Sequence, residues 1–508
     1  MEKSTDTRLD VLIDRRLGEK PDERCLWWNG TWYDRAYLKG LADAAEQRLA
    51  EAGFSKGQRL VIMTPNSPMV LALSIATWRL GGSVAPLNAK AGAASLSATL
   101  RLLDPFAVVT ASETRGDVQS VLDELALPHA LCPPMGPLPA FSGGGRPQVR
   151  EVREGEDELA VIFSTSGTTG APKAVPLTHA NLISNCIGCI HILKALRPRD
   201  VFLNVLPNFH AFGFTACTLL PFFSEAAQAI VPGFMPPQNT VRAMAAAQPN
   251  VVILVPTMLY FLLGLLEREG GDKDPARFGD IKLVITGGDR LNTAMDEKSK
   301  ALLGKNVLEG YGITECSPVV AVNDCYERRR LGTVGEFLDW CSWRLRGEDG
   351  SGGDAVNPAD GEGVLWVKGG SVCSGYFRLE ESDRSRFDDG WFNTGDYVKI
   401  DGGYVKVLDR VKDIIIVGGF NVYPQEVEAV LAEHPAVQTA VVVGMPHSVS
   451  GEVPKACVVK KPGAEASETD LIRYCKERLS HYQVPRKVEF MDSLPTSAAG
   501  KVLRRLLK

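Results

Sequence analysis

The sequence predicts an α/β fold in two unequal domains, on three observations. Short apolar, often β-branched runs alternate with helix-like runs through the first four hundred or so residues, the pattern of largely parallel sheets. After about residue 331 the runs become strands separated by turn signals, more antiparallel or barrel-like in character. At 508 residues the chain also exceeds what one core usually holds. The expected architecture is a large N-terminal domain of parallel-type sheets and helices with a barrel-like subdomain (1–408), a hinge (409–412) and a small α+β C-terminal domain (413–508).

The elements follow in order. "RLVIMT", "SVAPLN", "FAVVTA", "AVIF", "VFLNVLP", "VVILVP" and "KLVITGG" read as strands, and "MVLALSIATWRL" and "TMLYFLLGLLERE" as helices between them. Residues 133–157, rich in Pro, Gly and charge, read as a long surface connection. The longest apolar stretch, residues 251–266, is short for a membrane span and contains Pro256, so it reads as a strand followed by a helix. "GVLWVKG", "GYVKVLD" and "DIIIVGG" supply the barrel-like strands. "EVEAVLAEH", "TAVVVGMP", "KACVVKK", "LIRYCKERL" and "KVEFMD" form a compact mixed tail. The polar "LDRVKD", residues 408–413, marks the boundary.

Composition narrows the function. With 45% hydrophobic and 23% charged residues the chain reads as a soluble globular protein. A net charge of −5 and a pI near 5.9 do not suggest a nucleic-acid partner. "MEKSTDTRLD" shows no apolar leader, and no transmembrane segment is expected. Eleven cysteines without paired or metal-like spacing suggest reduced, mostly buried thiols, and the expected compartment is the cytoplasm. No oligomeric state follows; a homodimer is one option.

"STSGTTGAPK", residues 164–173, carries the first chemical signal. Seven consecutive small hydroxyl or glycine residues offer turn amides and hydroxyl donors suited to a polyphosphate. The stretch reads as a loop between the strand "LAVIF" and the helix "HANLISNCIGCIHIL". It is not the common P-loop, because Gly167 and Gly170 are too close and Lys173 is not followed by Ser or Thr.

Six further segments combine with it: "LPNFHAFG" (206–213), "VITGGDRL" (284–291), "LEGYGITE" (308–315), "FNTGD" (392–396), "LDRVKDIIIVGGFNVYPQEVE" (408–428) and "PTSAAGK" (495–501). This ordered set resembles the adenylate-forming superfamily of acyl-CoA synthetases, nonribosomal-peptide adenylation domains and beetle luciferases, over roughly residues 25–508. The resemblance implies a mobile C-terminal domain and two half-reactions. A carboxylate attacks the α-phosphate of ATP to give an acyl adenylate and pyrophosphate, and a thiol then displaces AMP. ATP, Mg²⁺ and CoA, or the phosphopantetheine of a carrier protein acting in trans, are the implied cofactors and partners.

Residue by residue, the resemblance assigns Thr165, Ser166, Gly167, Thr168, Thr169, Gly170 and Lys173 to the β- and γ-phosphates. Gly288, Asp289, Glu309, Gly310, Tyr311 and Gly312 join the nucleotide-binding set, with Tyr311 on adenine. Thr314 reaches the α-phosphate, and Glu315 helps hold Mg²⁺, a hard cation that prefers carboxylate and phosphate oxygens. Asp396 and Arg410 match the ribose-binding positions. Lys501 bridges carboxylate and α-phosphate, where an ammonium offsets the repulsion of two anions. Lys412 is the hinge position, and Gly418, Gly419 and Phe420 line the thiol tunnel. His210 faces the substrate carboxylate. Phe212, Gly287, Gly288 and Gly312 match acyl-pocket positions, where the glycines would leave an open channel.

The family's amino-acid activators usually place Asp just after the Phe of "NFHAF"; this chain has His210 and Ala211, which favours a plain carboxylic acid over an α-amino acid. The expected function is activation of a fatty or other apolar acid and its transfer to CoA. Transfer to a carrier protein in trans, a silent adenylate binder and a light-emitting relative are the alternatives. Cys316 and Cys373 have no partner signature and read as packing. "YERRR", residues 326–330, reads as a solvated face.

Overall fold

The computed structural model describes residues 8–111, 116–143, 147–166, 172–268, 275–347, 353, 355–378, 385–417, 420–447, 450–496 and 502–508; of Thr165, Ser166 and Pro172 it describes the backbone alone. It divides into two compact units, Met1–Cys341 with Lys368–Phe392, and Ser342–Val367 with Asn393–Lys508.

The first unit holds two sheets. The smaller runs His129–Cys132, Ala107–Ala111, Arg59–Met63, Ser83–Pro86, Leu159–Ser166 and Pro172–Thr178. All its neighbours are parallel except the last pair, which is antiparallel. The larger runs Glu336–Phe337, Val319–Val322, Leu308–Gly312, Leu283–Gly287, Val251–Leu254, Val201–Asn204, Ala227–Ile230, Arg24–Trp28 and Thr31–Asp34. It is parallel in the middle and antiparallel at both ends. The central strands are buried along their whole length, which is why they read as continuous apolar runs without alternation.

Helices fill the space around these strands. Helix Pro68–Arg79 starts on a proline at its first turn and is buried from Pro68 to Trp78, so it is apolar all round. Helix His179–Ile192 starts from a capping box between Thr178 and Asn181. Residues 251–266 form a strand, Val251–Leu254, and then helix Pro256–Arg268, as the proline indicated. Among the described residues no helix is long and apolar enough to cross a membrane.

The sequence reading differs from the structure at the polar stretch. Residues 164–173 do not run from strand into helix. Strand Leu159–Ser166 folds back on Pro172–Thr178, with Thr165 opposite Lys173, and the helix begins only at His179. Buried Ala174, Val175 and Leu177 are a strand's apolar contribution, hidden in the sequence by their closeness to the helix start. A second difference follows Asn204, where Gly213–Leu219 forms a π-helix. Gly213 permits this path, since a Cβ there would lie 2.4 Å from the Pro207 carbonyl oxygen.

In the second unit, strands Cys341–Arg346, Gly361–Gly369, Trp391–Asp401 and Tyr404–Arg410 lie side by side. A second sheet orders Phe420–Val422, Ile415–Val417, Gly451–Lys460 and Val437–His447, with Lys487–Phe490 parallel to Gly451–Lys460. Helices Pro424–Ala432 and Glu468–Lys476 close its core through Val427, Leu431, Leu471 and Cys475. Residues 409–412, the expected hinge, lie inside this unit, and so do the barrel-like strands that the sequence reading grouped with the N-terminal domain.

Candidate functional site

In the first unit the expected residues gather at the ends of parallel strands, where an open sheet leaves a crevice for ligand. Strand Leu283–Gly287 ends in exposed Gly288 and Asp289, and the Asp289 carboxylate accepts from the Arg290 amide at 2.8 Å. Strand Leu308–Gly312 lies beside it, with Gly287 opposite Gly310, and continues into the turn Thr314–Cys316.

Glu315 sits on that turn. The Tyr376 hydroxyl donates to its Oε1 at 2.8 Å, and Arg386 Nη1 donates to the Tyr376 oxygen at 3.0 Å and lies 3.8 Å from Glu315 Oε1. The Lys173 ammonium stands 5.1 Å from the centre of the Tyr376 ring. One carboxylate and two cations thus meet beside the polar hairpin. A single carboxylate beside phosphate-seeking cations suits Mg²⁺, which usually keeps waters and substrate phosphates as its other ligands. Among the described residues no group of three or more His, Cys, Asp or Glu converges as a metal cage.

The turn is held from behind. Asn185, fully buried, donates to the carbonyls of Cys316 at 3.0 Å and Val319 at 2.8 Å. Asn181 donates to Gly370 and Val372. Gly312 allows the hairpin to close, because a Cβ there would meet the Pro318 oxygen at 2.4 Å.

Glu309 is placed differently from Glu315. Its carboxylate is buried and accepts the Gly332 amide at 2.9 Å, and burial pushes its pKa up to about 7. Tyr311 pairs with Ala321 across the hairpin.

His210 ends a turn fastened by buried amides. Asn66 donates to the Leu206 carbonyl and accepts from the Asn208 amide, Asn208 donates to Asn204, and Asn204 donates to Gln228 at 2.7 Å. The imidazole lies 4.7 Å from the Phe209 ring. Two residues further, Phe212 reaches Gly287, its ring 3.3 Å from where a Cβ would stand. The ring thus fills the space beside that glycine, and Pro318 fills that beside Gly312.

In the second unit Asp396 and Arg410 face each other across an antiparallel pair, with Arg410 Nε 3.1 Å from Asp396 Oδ1. Asp396 is buried and its amide donates to Thr394 Oγ1. The neighbouring Asp409 accepts the amides of Arg410 and Gln425, and burial raises its pKa to about 6. Lys412 is exposed on the short helical turn Val411–Asp413. Phe420, also exposed, stacks on Tyr482 at 4.8 Å. Gly167, Thr168, Thr169, Gly170, Gly418, Gly419 and Lys501 lie outside the described residues.

Sequence reasoning missed Tyr376, Arg386, Asn181, Asn185 and the 66–208–204–228 amides. Only Asn181 carried a local signal, the capping-box spacing Thr178-x-x-Asn181.

Comparison with known proteins shows the family. A family model described as AMP-binding enzyme covers residues 13–377, and one described as AMP-binding enzyme C-terminal domain covers 426–501. The chain is 31% identical over 489 residues to a long-chain-fatty-acid–CoA ligase of Bacillus subtilis (strain 168), spanning 90% of this chain and 86% of the relative. It is also 31% identical to a feruloyl-CoA synthase of Amycolatopsis sp, over 96% of each chain. The crystal structure of ATP-bound MatB from Rhodopseudomonas palustris aligns with a TM-score of 0.87 at 30% identity, covering 99% of this chain and 98% of that one. With its two matched segments in order, the chain belongs to the AMP-binding enzyme family.

Proposed function

We propose that the chain is an AMP-forming acid–thiol ligase that activates an apolar carboxylic acid and passes it to CoA. The meeting of Lys173, Tyr376, Glu315 and Arg386 supports this reading, because two cations beside one carboxylate suit a polyphosphate and its metal. Relatives named for long-chain fatty acid and ferulate ligation to CoA support the reaction class. His210, where amino-acid activators carry Asp, supports an acid without an ammonium group.

In the first half-reaction a carboxylate oxygen of the acid bonds to the α-phosphorus as the bond to the β-phosphate breaks, and pyrophosphate leaves. Lys173 and Arg386 bind phosphate oxygens, and Asp396 accepts the ribose hydroxyl protons. Glu315, oriented by Tyr376, would hold Mg²⁺, which neutralises charge on the departing pyrophosphate. Lys501 holds the two anionic reactants together. In the second half-reaction a thiolate bonds to the acyl carbon and AMP leaves. Lys412 is the pivot that replaces Lys501 by Gly418, Gly419 and Phe420 between the two.

The test is pyrophosphate release with ATP, Mg²⁺ and acids from acetate through long-chain fatty acids to aryl and amino acids, each with and without CoA. Release with an apolar acid, and AMP and acyl-CoA only with CoA present, is expected. Release that stops near one equivalent despite CoA would replace CoA by a carrier-protein thiol. No release with any acid, despite ATP binding, would overturn the ligase reading.

A further inference from the structure

Two residues beyond Tyr376, Arg378 enters a charged knot that none of the assigned roles uses. Arg378 Nε donates to Glu156 Oε1 at 2.8 Å and its Nη2 to Oε2 at 3.1 Å, a two-pronged grip on one carboxylate. Arg59 Nη1 donates to the same Oε2 at 2.9 Å, and Arg378 Nη2 also reaches the Glu151 carbonyl. Arg59 and Glu156 are both buried. Buried charges persist only when paired and hydrogen-bonded, and here every member is.

The backbone shows what the knot holds. Arg378 has φ +50°, a left-handed conformation that a side chain with a Cβ adopts at a cost. The preceding residue, Phe377, is buried against the two guanidinium groups, its ring centre 5.8 Å from that of Arg59 and 5.1 Å from that of Arg378. Its amide donates to the Ala174 carbonyl at 2.7 Å. Ala174 adjoins Lys173 on the polar hairpin, and Phe377 adjoins Tyr376. Glu156 itself opens the short turn Glu156–Glu158 that leads into strand Leu159–Ser166, the hairpin's other arm. One carboxylate therefore ties the base of the hairpin to the segment that carries Tyr376.

We infer that Arg378, gripped by Glu156, is a positioning residue for adenylate formation: it fixes Tyr376 between Lys173 and Glu315, and so sets Glu315 for the nucleotide. The inference rests on the ligase reading. Without the grip, the left-handed turn at Arg378 loses the ion pair that offsets its strain. The Tyr376 hydroxyl then loses its alignment on Glu315, although no substrate atom touches Arg378.

The test is a double-mutant cycle in the full chain. Arg378→Gly suits φ +50° and removes the grip together with the Glu151 and Phe377 contacts; Arg378→Lys keeps the charge but not the two-pronged contact. Each is combined with Tyr376→Phe. Acid-dependent ATP–pyrophosphate exchange, Mg-ATP affinity by calorimetry and the unfolding midpoint are measured for every variant. Either Arg378 variant alone should lower exchange roughly tenfold, the scale of one charge-assisted hydrogen bond, and lower it less than about twofold further when Tyr376 is already Phe. Losses that multiply fully in the double variants would overturn the inference, because Arg378 would then act independently of Tyr376. Exchange that stays at the wild-type rate in both Arg378 variants would overturn it too. If Arg378→Gly fails to fold, the Arg378→Lys arm decides. A wild-type chain that binds Mg-ATP but exchanges no pyrophosphate with any acid would overturn the ligase reading instead; the cycle in Mg-ATP affinity then scores the clamp, with non-additivity supporting it and additivity refuting it.

Discussion

Glu315 and Asp396 are both carboxylates assigned to the nucleotide, and the two units build their surroundings in opposite ways. Asp396 meets Arg410 across one hairpin, fourteen positions along the chain, through backbone register alone. Glu315 meets Tyr376 and Arg386, with Lys173 against the Tyr376 ring, all drawn from segments scattered along the first unit and held by Asn185, Asn181 and the Glu156–Arg378 knot. A site made by register withstands changes elsewhere. A site made by packing is exposed to every element that supports it.

The hairpin carries its own lesson. Asp401 pairs with Tyr404 around Gly402 and Gly403, both at positive φ, the two-residue turn that matches strand twist. Uninterrupted, that register would set Asp396 opposite Asp409. A bulge between Tyr397 and Val398 moves the pairing by one residue, so that Asp396 faces Arg410 and Asp409 faces Tyr397. The bulge replaces a pair of like charges by an ion pair and leaves Asp409 to the Gln425 amide.

The sharpest way to break the comparison is to remove each carboxylate's function at its simplest point. Asp396→Ala should lower kcat/KM for ATP by roughly 100-fold, the loss of charge-assisted bonds to two hydroxyls, whereas Arg410→Ala should cost roughly tenfold since its side chain is partly exposed. Steady-state pyrophosphate release reads both. Equal losses would mean that the ion pair, and not the carboxylate, is what matters. Next comes the backbone of the dispersed site. Gly312→Ala puts a methyl against the Pro318 oxygen and should destabilise the chain by about 2 kcal/mol with loss of adenylation. Gly287→Ala meets the Gly310 carbonyl oxygen at 3.1 Å, a looser approach than at Gly312, and the Phe212 ring at 3.3 Å, and should cost about 1 kcal/mol while shifting acyl preference toward smaller acids, read by thermal unfolding and the acid panel.

The smallest effect on activity is expected from Glu309, the buried carboxylate that accepts the Gly332 amide. Glu309 has its pKa raised from 4.5 to about 7 by burial, so the folded state binds a proton that the unfolded state has released. Its contribution to stability is therefore complete below about pH 4.5 and is lost as pH rises through 7. Glu309→Gln should flatten that fall while keeping an acceptor for the Gly332 amide, with denaturant unfolding from pH 4 to 8 as the measurement. An undiminished slope would show that another group titrates there.

Much of this molecule was legible in its sequence. The parallel strands are buried on both faces and so announce themselves as apolar runs, and Pro256 separates a strand from a helix within one such run. Gly402-Gly403 marks the hairpin turn, and the ordered motifs mark the family. These signals are local, or they sum over short windows, and a linear reading can collect them.

Tertiary structure decided the rest. It turned the polar stretch into a hairpin, because Ala174, Val175 and Leu177 bury as a sixth strand only when the neighbouring sheet is present. It brought Tyr376 and Arg386 to Glu315 and joined Glu156 to Arg378 across 222 positions. Contacts at such separations depend on where whole elements pack, and no spacing along the chain encodes them.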